Sequence, residues 1–129
     1  MLARRFFGKT LALSLLLAGL AVMAPAQETT GSISGTVSDK SGAVIKGATV
    51  MIVNTDRGTT ERTLTTNSAG FYTAGSLPLG TYTIKIVDAG FKSEDITGLV
   101  LHVNDALTVN RSLVPGNQSE VVTVNADQV

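Results

Sequence analysis

Residues 67–91 read NSAGFYTAGSLPLGTYTIKIVDAGF. The turn formers Asn67 to Gly70, Leu77 to Gly80 and Ala89-Gly90 divide this stretch into two short runs of alternating polarity. In the second run Tyr82, Ile84 and Ile86 face one way, and Thr83, Lys85 and Val87 face the other. A period of two belongs to a strand with one face buried, whereas an amphipathic helix repeats every 3.6 residues. The same stretch holds every aromatic after Phe7, namely Phe71, Tyr72, Tyr82 and Phe91. Neighbours on a strand point to opposite faces, so Phe71 and Tyr72 cannot both share the layer of Tyr82. Tyr72 is the ring expected to be exposed, and it is the one candidate ligand contact; the other three read as core or turn-packing residues.

Working outward, the rest of the chain after Gln27 repeats this grammar. Ile33, Gly35 and Val37 alternate with Ser and Thr over Ser32 to Ser38. Ala48 to Val53 is apolar on both faces, as a central strand would be. Thr59 to Thr66 reads as a solvated edge strand, with Glu61 and Arg62 discouraging pairing to other chains. Leu99, Leu101 and Val103 oppose Val100, His102 and Asn104, and Leu107, Val109, Arg111 and Leu113 form a further run that ends before the turn signal Val114-Pro115-Gly116-Asn117. Val121 to Val124 is a last short run. About seven strands plus a tail, separated by turn residues every 8 to 12 positions or so, predict an all-β sandwich or barrel. Asp39-Lys40-Ser41-Gly42, Asn67-Ser68-Ala69-Gly70 and Leu77-Pro78-Leu79-Gly80 each put Gly at the fourth turn position. Asp39 and Asn67 are able to bond their own turn backbone, and Pro78 suits the second position of a type I turn.

The N-terminus is read as an address. Arg4, Arg5 and Lys9 precede an apolar run from Leu11 to Met23, and Ala24-Pro25-Ala26 supplies the small residues of a signal-peptidase site, so cleavage is expected between Ala26 and Gln27. A retained membrane anchor is disfavoured, because Thr10 to Gln27 has only about 13 apolar positions where a span needs roughly 20. With no Cys near the cut, a lipoprotein anchor is excluded. Arg4-Arg5-Phe6-Phe7-Gly8-Lys9 is similar to a twin-arginine export signal but departs at Ala3 and Gly8; general secretion is the favoured route and the other stays open. The expected organisation is a signal peptide at 1–26, a β-sandwich at 27–116 and a C-terminal tail or linker strand at 117–129.

Cleavage would remove three of the 10 basic residues and none of the 10 acids, leaving a mildly acidic chain. The remaining cations are scattered singly, which argues against nucleic acid as a partner. With no cysteine, the domain must hold itself by packing alone, which about 100 residues allow.

Chemistry is sparse. No cysteine nucleophile exists, and the single histidine, His102, is expected on a solvated face beside Asn104 and Asp105. Glu94 and Asp95 are adjacent and so point apart; they read as a solvated loop rather than an acid–base pair. One His and no Cys do not make a zinc site, and no EF-hand loop is present. Catalytic residues, metal and cofactor are therefore expected to be none. The turn glycines precede no helix N-terminus that would make a phosphate site. The sequons at Asn110 and Asn117 read as coincidental.

Gly31-x-Ile33-x-Gly35-x-Val37, Asp39 through Gly42, Gly47-Ala48-x-Val50, Thr65 through Tyr72, Leu77 through Tyr82 and Ala89-Gly90-Phe91 together resemble the carboxypeptidase regulatory-like domain over about residues 29–114. That resemblance implies a seven-stranded, transthyretin-like Greek-key β-sandwich, grouped with carbohydrate-binding-like folds. It implies no peptidase chemistry, because the catalytic domain that this module accompanies is not matched. The wording is most similar to the copy that opens TonB-dependent, Oar-like outer-membrane receptors, where a stretch like Ser119 to Ala126 leads into the plug and barrel. The expected function is a non-catalytic, exported accessory or interaction module in the periplasm or outer membrane of a Gram-negative bacterium. It would be either free-standing or part of such a receptor, with an outer-membrane barrel or other cell-envelope protein as partner. The alternative is a carbohydrate-binding module that uses Tyr72 or Tyr82 to take polysaccharide.

Overall fold

Ile33 and Val37 alternate with Ser34, Thr36 and Ser38, and that period sets the first strand. In the computed structural model, which describes Gln27 and residues 29–128, β1 spans Thr30–Asp39 and buries Gly31, Ile33, Gly35 and Val37. The strands that follow are β2 (Thr49–Asn54), β3 (Thr59–Thr65), β4 (Phe71–Pro78), β5 (Gly80–Val87), β6 (Ser93–Leu101), β7 (Ala106–Thr108), β8 (Arg111–Leu113) and β9 (Val121–Asn125). A single 3-10 turn, Ala126–Gln128, follows β9. The signal peptide expected at 1–26 lies outside the described residues.

Two sheets form the all-β sandwich. The larger has the order β3-β2-β5-β6-β9, and the smaller places β1 between β4 and the pair β7 and β8. β7 lies parallel to the first half of β1 and β8 to its second half. Counted as one interrupted strand, they complete a seven-stranded sandwich, to which β9 adds a further strand. The core between the layers is aliphatic: Ile33 and Val37 from β1, Val50 and Ile52 from β2, Ile84 and Ile86 from β5 and Ile96 from β6 are all fully buried. Burial of this kind is what holds a domain without disulfides.

The turns follow their side chains. Asp39 Oδ1 accepts from the backbone N–H of Ser41 and Ala43 at 2.8 and 3.0 Å. Asn67 Oδ1 likewise accepts from Ala69 and Phe71 at 2.9 and 3.0 Å. Gly70 closes that turn at φ 70°, where a Cβ would lie 2.6 Å from the Val37 carbonyl oxygen. β3 is the edge strand expected, and β2 is interior between β3 and β5.

Several expectations change. Pro78 does not open a four-residue turn: β4 runs through it, and only Leu79 separates β4 from β5 at a corner where the chain changes sheets. The Tyr82 hydroxyl spans the corner by donating to the Pro78 carbonyl at 2.6 Å. Glu94 and Asp95 do not sit in a loop; β6 begins at Ser93, and both acids are paired, Glu94 with Arg111 from β8 of the other sheet and Asp95 with Lys85 from β5. Val103 leaves the buried face because β6 ends at Leu101 and the chain turns, His102 C=O accepting from Asp105 N–H at 3.1 Å. The tail or linker strand expected at 117–129 is a strand over Val121–Asn125, β9, and it is not left unpaired: it runs parallel to β6 from Ser93↔Val121 to Thr97↔Asn125.

Tyr82 is fully buried, so truncating it removes packing and leaves a cavity. Tyr82→Ala is expected to cost about 3–5 kcal/mol and to lower the thermal midpoint by more than about 10 °C. Phe71→Ala, on the exposed face, should cost under about 1 kcal/mol. Equal, small effects in thermal melts would contradict this assignment.

Candidate functional site

Tyr72 was the one residue the sequence offered as a ligand contact, and its place in the fold corrects that expectation. The strand alternation holds, but with the opposite sign: Tyr72 turns into the core at 2% exposure and Phe71 turns outward at 41%. The reason lies far away in the chain. Between β7 and β8 the ladder breaks at Val109-Asn110, and the Val109 carbonyl lies inside the sandwich. A buried carbonyl without a donor costs free energy, and the Tyr72 hydroxyl supplies one at 2.7 Å. Burial drives the Tyr72 phenol well above the ordinary tyrosine range, the nearby Arg111 charge opposing this only in part. Tyr82 is also raised by burial, with the Asn54 amide acting against it; Asn54 Nδ2 donates to the Tyr82 hydroxyl at 3.4 Å. Phe91 is half-buried against the core.

Four ion pairs form among the described residues, each separate from the others. Glu94, only 3% exposed, accepts from Arg111 Nε, which joins β6 of the larger sheet to β8 of the smaller. Lys85 Nζ meets Asp95 Oδ2 at 2.8 Å and Lys92 Nζ meets Glu120 Oε2 at 3.1 Å. His102 is exposed as expected, with Nδ1 3.0 Å from Asp105 Oδ2. The His102 backbone N–H donates to that same carboxylate oxygen at 2.8 Å and is the chief reason the Asp105 carboxyl lies below its usual value. Among the described residues no three His, Asp or Glu side chains come together as metal ligands. Among the described residues the one histidine ring meets a carboxylate rather than a hydroxyl.

What the fold does present is an uncharged, hydroxyl-rich sheet face. Ser32, Ser34, Thr36 and Ser38 line the outward side of β1, flanked by Phe71 and Thr73 on one side and by Thr108 and Ser112 on the other. A cleft of about 370 Å³ lies among Thr36, Ser38, Val44, Asn110, Arg111 and Ser112. Asn110, legible in the sequence only as a coincidental sequon, repairs the break in the ladder: its Oδ1 accepts from the Thr36 backbone N–H at 2.9 Å and from the Thr36 hydroxyl at 3.1 Å. Nothing local to Asn110 signals that role, because its partner is 74 positions away. At the opposite end, a cleft of about 250 Å³ is lined by Thr30, Ser32, Ser76, Asn104 and Asp105. β9 is one of the two edge strands of the larger sheet, β3 being the other.

Comparison with known proteins places this geometry. The family model described as carboxypeptidase regulatory-like domain matches residues 32–114. No curated protein sequence matches the chain. Among solved structures, the Bacillus anthracis TIE protein is similar at 24% identity and TM-score 0.57, covering 67% of this chain and 16% of its own. A putative carbohydrate binding protein from Bacteroides uniformis is similar at 16% identity and TM-score 0.53, over 66% of this chain and 41% of its own. Acinetobacter radioresistens catechol 1,2 dioxygenase is similar at 14% identity and TM-score 0.54, over 78% and 58%. At such identities the likeness is one of fold. This chain spans less than two thirds of the length of each.

The phenol of Tyr72 yields a pH prediction. Its folded pKa is raised, so its contribution to stability is present below the ordinary phenol value of 10.0 and is lost as pH rises beyond it, since only the unfolded chain ionises freely. Tyr72→Phe is expected to lower stability by about 1–3 kcal/mol at neutral pH, through the unpaired carbonyl. It should also flatten the fall of the thermal midpoint between about pH 9 and 11. Parallel pH profiles for the two proteins would contradict the buried phenol–carbonyl bond.

Proposed function

Because the chain belongs to the carboxypeptidase regulatory-like domain family, we propose that it acts as an exported, non-catalytic accessory module of the bacterial cell envelope. Its proposed setting is the N-terminal domain of a TonB-dependent outer-membrane receptor. The observation that carries this reading is β9. The stretch beyond the matched region is a strand of the larger sheet, so the sandwich and the segment that leads out of it form one body. That is the construction a module needs if it is to set the position of whatever follows it. The ionisable side chains support the non-catalytic part, because the acids closest to cations are spent on holding strands together rather than gathered at a cleft.

The polysaccharide alternative rested on Tyr72 or Tyr82 as the stacking ring. Both rings are buried and bonded to backbone carbonyls, so neither offers a face to a sugar, and the accessory role is the better supported reading.

The test is expression of the full chain with a C-terminal tag in a Gram-negative host, followed by fractionation and N-terminal sequencing. The expected result is an envelope or periplasmic protein beginning at Gln27; an uncleaved protein in the cytosol would overturn the export reading. For the receptor setting, the gene following Val129 is expected to continue in frame into a plug and barrel, and a stop codon there would exclude it.

A further inference from the structure

With Tyr72 turned into the core, Phe71 faces out, and its neighbours on that side determine what the smaller sheet can bind. Residues directly opposite each other in an antiparallel pair share a face. Thr36 lies opposite Phe71 and Ser38 opposite Val44, so the Phe71 ring, 41% exposed, and Val44, 49% exposed, stand in a row beside the Thr36 and Ser38 hydroxyls. On the other side of β1, Ser38 is level with Ser112 and Thr36 is bonded to Asn110. The open cleft between them, about 370 Å³, falls within the roughly 300–1,000 Å³ of small-molecule sites. Its floor is hydroxyl, its far wall amide and hydroxyl, and its near wall Val44, with Phe71 at the rim.

The polar groups of this cleft are partly bonded and partly free. Asn110 Oδ1 accepts from both the Thr36 backbone N–H and the Thr36 hydroxyl, which fixes the amide plane and leaves Nδ2 without a partner among the described residues. Thr36 Oγ1 and Ser112 Oγ each donate, to Asn110 Oδ1 and to the Asp39 carbonyl at 2.9 Å, so both keep lone pairs with which to accept. No charge joins them: Arg111 lines the cleft, but it is level with buried Val37 and its guanidinium is paired with Glu94.

Such a lining selects its ligand. An anion would meet no free cation there, and a cation no carboxylate. A wholly apolar molecule would strip water from hydroxyls and an amide that it cannot bond. A sugar ring suits the whole lining: its C–H face suits the electron-rich face of Phe71 and the Val44 methyls, and its hydroxyls both donate and accept. We infer that the Phe71 face of the smaller sheet binds a neutral saccharide chain, with Phe71 and Val44 under a pyranose ring and Ser38, Thr36, Asn110 and Ser112 bonding its hydroxyls. The amide of Asn110 is already held in place, which reduces the ordering that binding requires. This site uses neither tyrosine, and the inference stands on the smaller sheet alone, so it holds whether or not the receptor setting is right.

The test titrates the ¹⁵N-labelled full chain with maltohexaose, cellohexaose and xylohexaose as neutral probes and with trigalacturonate as an acidic one. At least one neutral chain is expected to shift the amide resonances of Thr36, Ser38, Val44, Phe71 and Ser112 in the millimolar range, with trigalacturonate at least about tenfold weaker. Phe71→Ala should keep the wild-type fold and weaken the response at least about tenfold, whereas Phe71→Trp should keep it or strengthen it. Ser38→Ala is expected to weaken it as well, and decides the matter should Phe71→Ala fail to fold. Four outcomes would overturn the proposal: no shift with any neutral chain, shifts confined to the opposite cleft at Thr30, Asn104 and Asp105, an equal or stronger response to trigalacturonate, or a folded Phe71→Ala protein that binds as the wild type does.

Discussion

The Val109 carbonyl is the point on which this sandwich turns. It lies inside the core, where a polar group without a partner is expensive, and two residues distant in sequence make the position possible. Tyr72 donates to it at 2.7 Å, and Gly35 leaves the space: a Cβ there would lie 1.8 Å from the carbonyl oxygen and 2.8 Å from the Tyr72 hydroxyl. β1, β4 and the β7/β8 segment are thus joined by one contact as well as by their ladders. The break that turns Val109 inward is repaired on the outer side by Asn110, whose side chain bonds Thr36 in place of a backbone neighbour. Both halves of the interrupted strand therefore stay in register with β1.

From this junction the charged groups can be understood. Arg111 follows directly on the repaired break, and β8 carries it to the layer boundary where Glu94 waits on β6. An acid buried at that depth is tolerable because it is paired; removing either partner would strand a charge, a change that typically costs about 3–5 kcal/mol. With no cysteine in the chain, this ion pair and the Tyr72 bond are polar ties that fix how the two layers and their strands register, while the aliphatic core provides most of the driving force.

The sequence shows a good part of this. The alternation of Ile33 with Val37, the two-sided apolarity of β2, the guarded edge of β3 and the asparagine and aspartate turns are local properties, and all appear in the fold. What alternation cannot supply is its sign. Phe71 and Tyr72 must face opposite ways, but which one is buried depends on a carbonyl 37 residues further on. Glu94 read as a loop residue because its compensating cation is likewise distant. The pairing of β9 escaped notice because a parallel strand joined from the other layer has no hairpin to announce it. The candidate site was hardly legible at all: the one ring singled out is structural, and the exposure of Phe71 emerges only once the bond that buries Tyr72 is known.

The central claim, that the Gly35–Val109–Tyr72 contact organises the domain, is tested most directly by the thermal unfolding of Gly35→Ala. Gly75→Ala serves as its control, since a Cβ at position 75 would meet nothing within 4 Å. The account expects Gly35→Ala to lose cooperative unfolding or to melt more than about 10 °C below the wild type, with Gly75→Ala close to it. A Gly35→Ala protein that unfolds cooperatively within a few degrees of the wild type would contradict the claim.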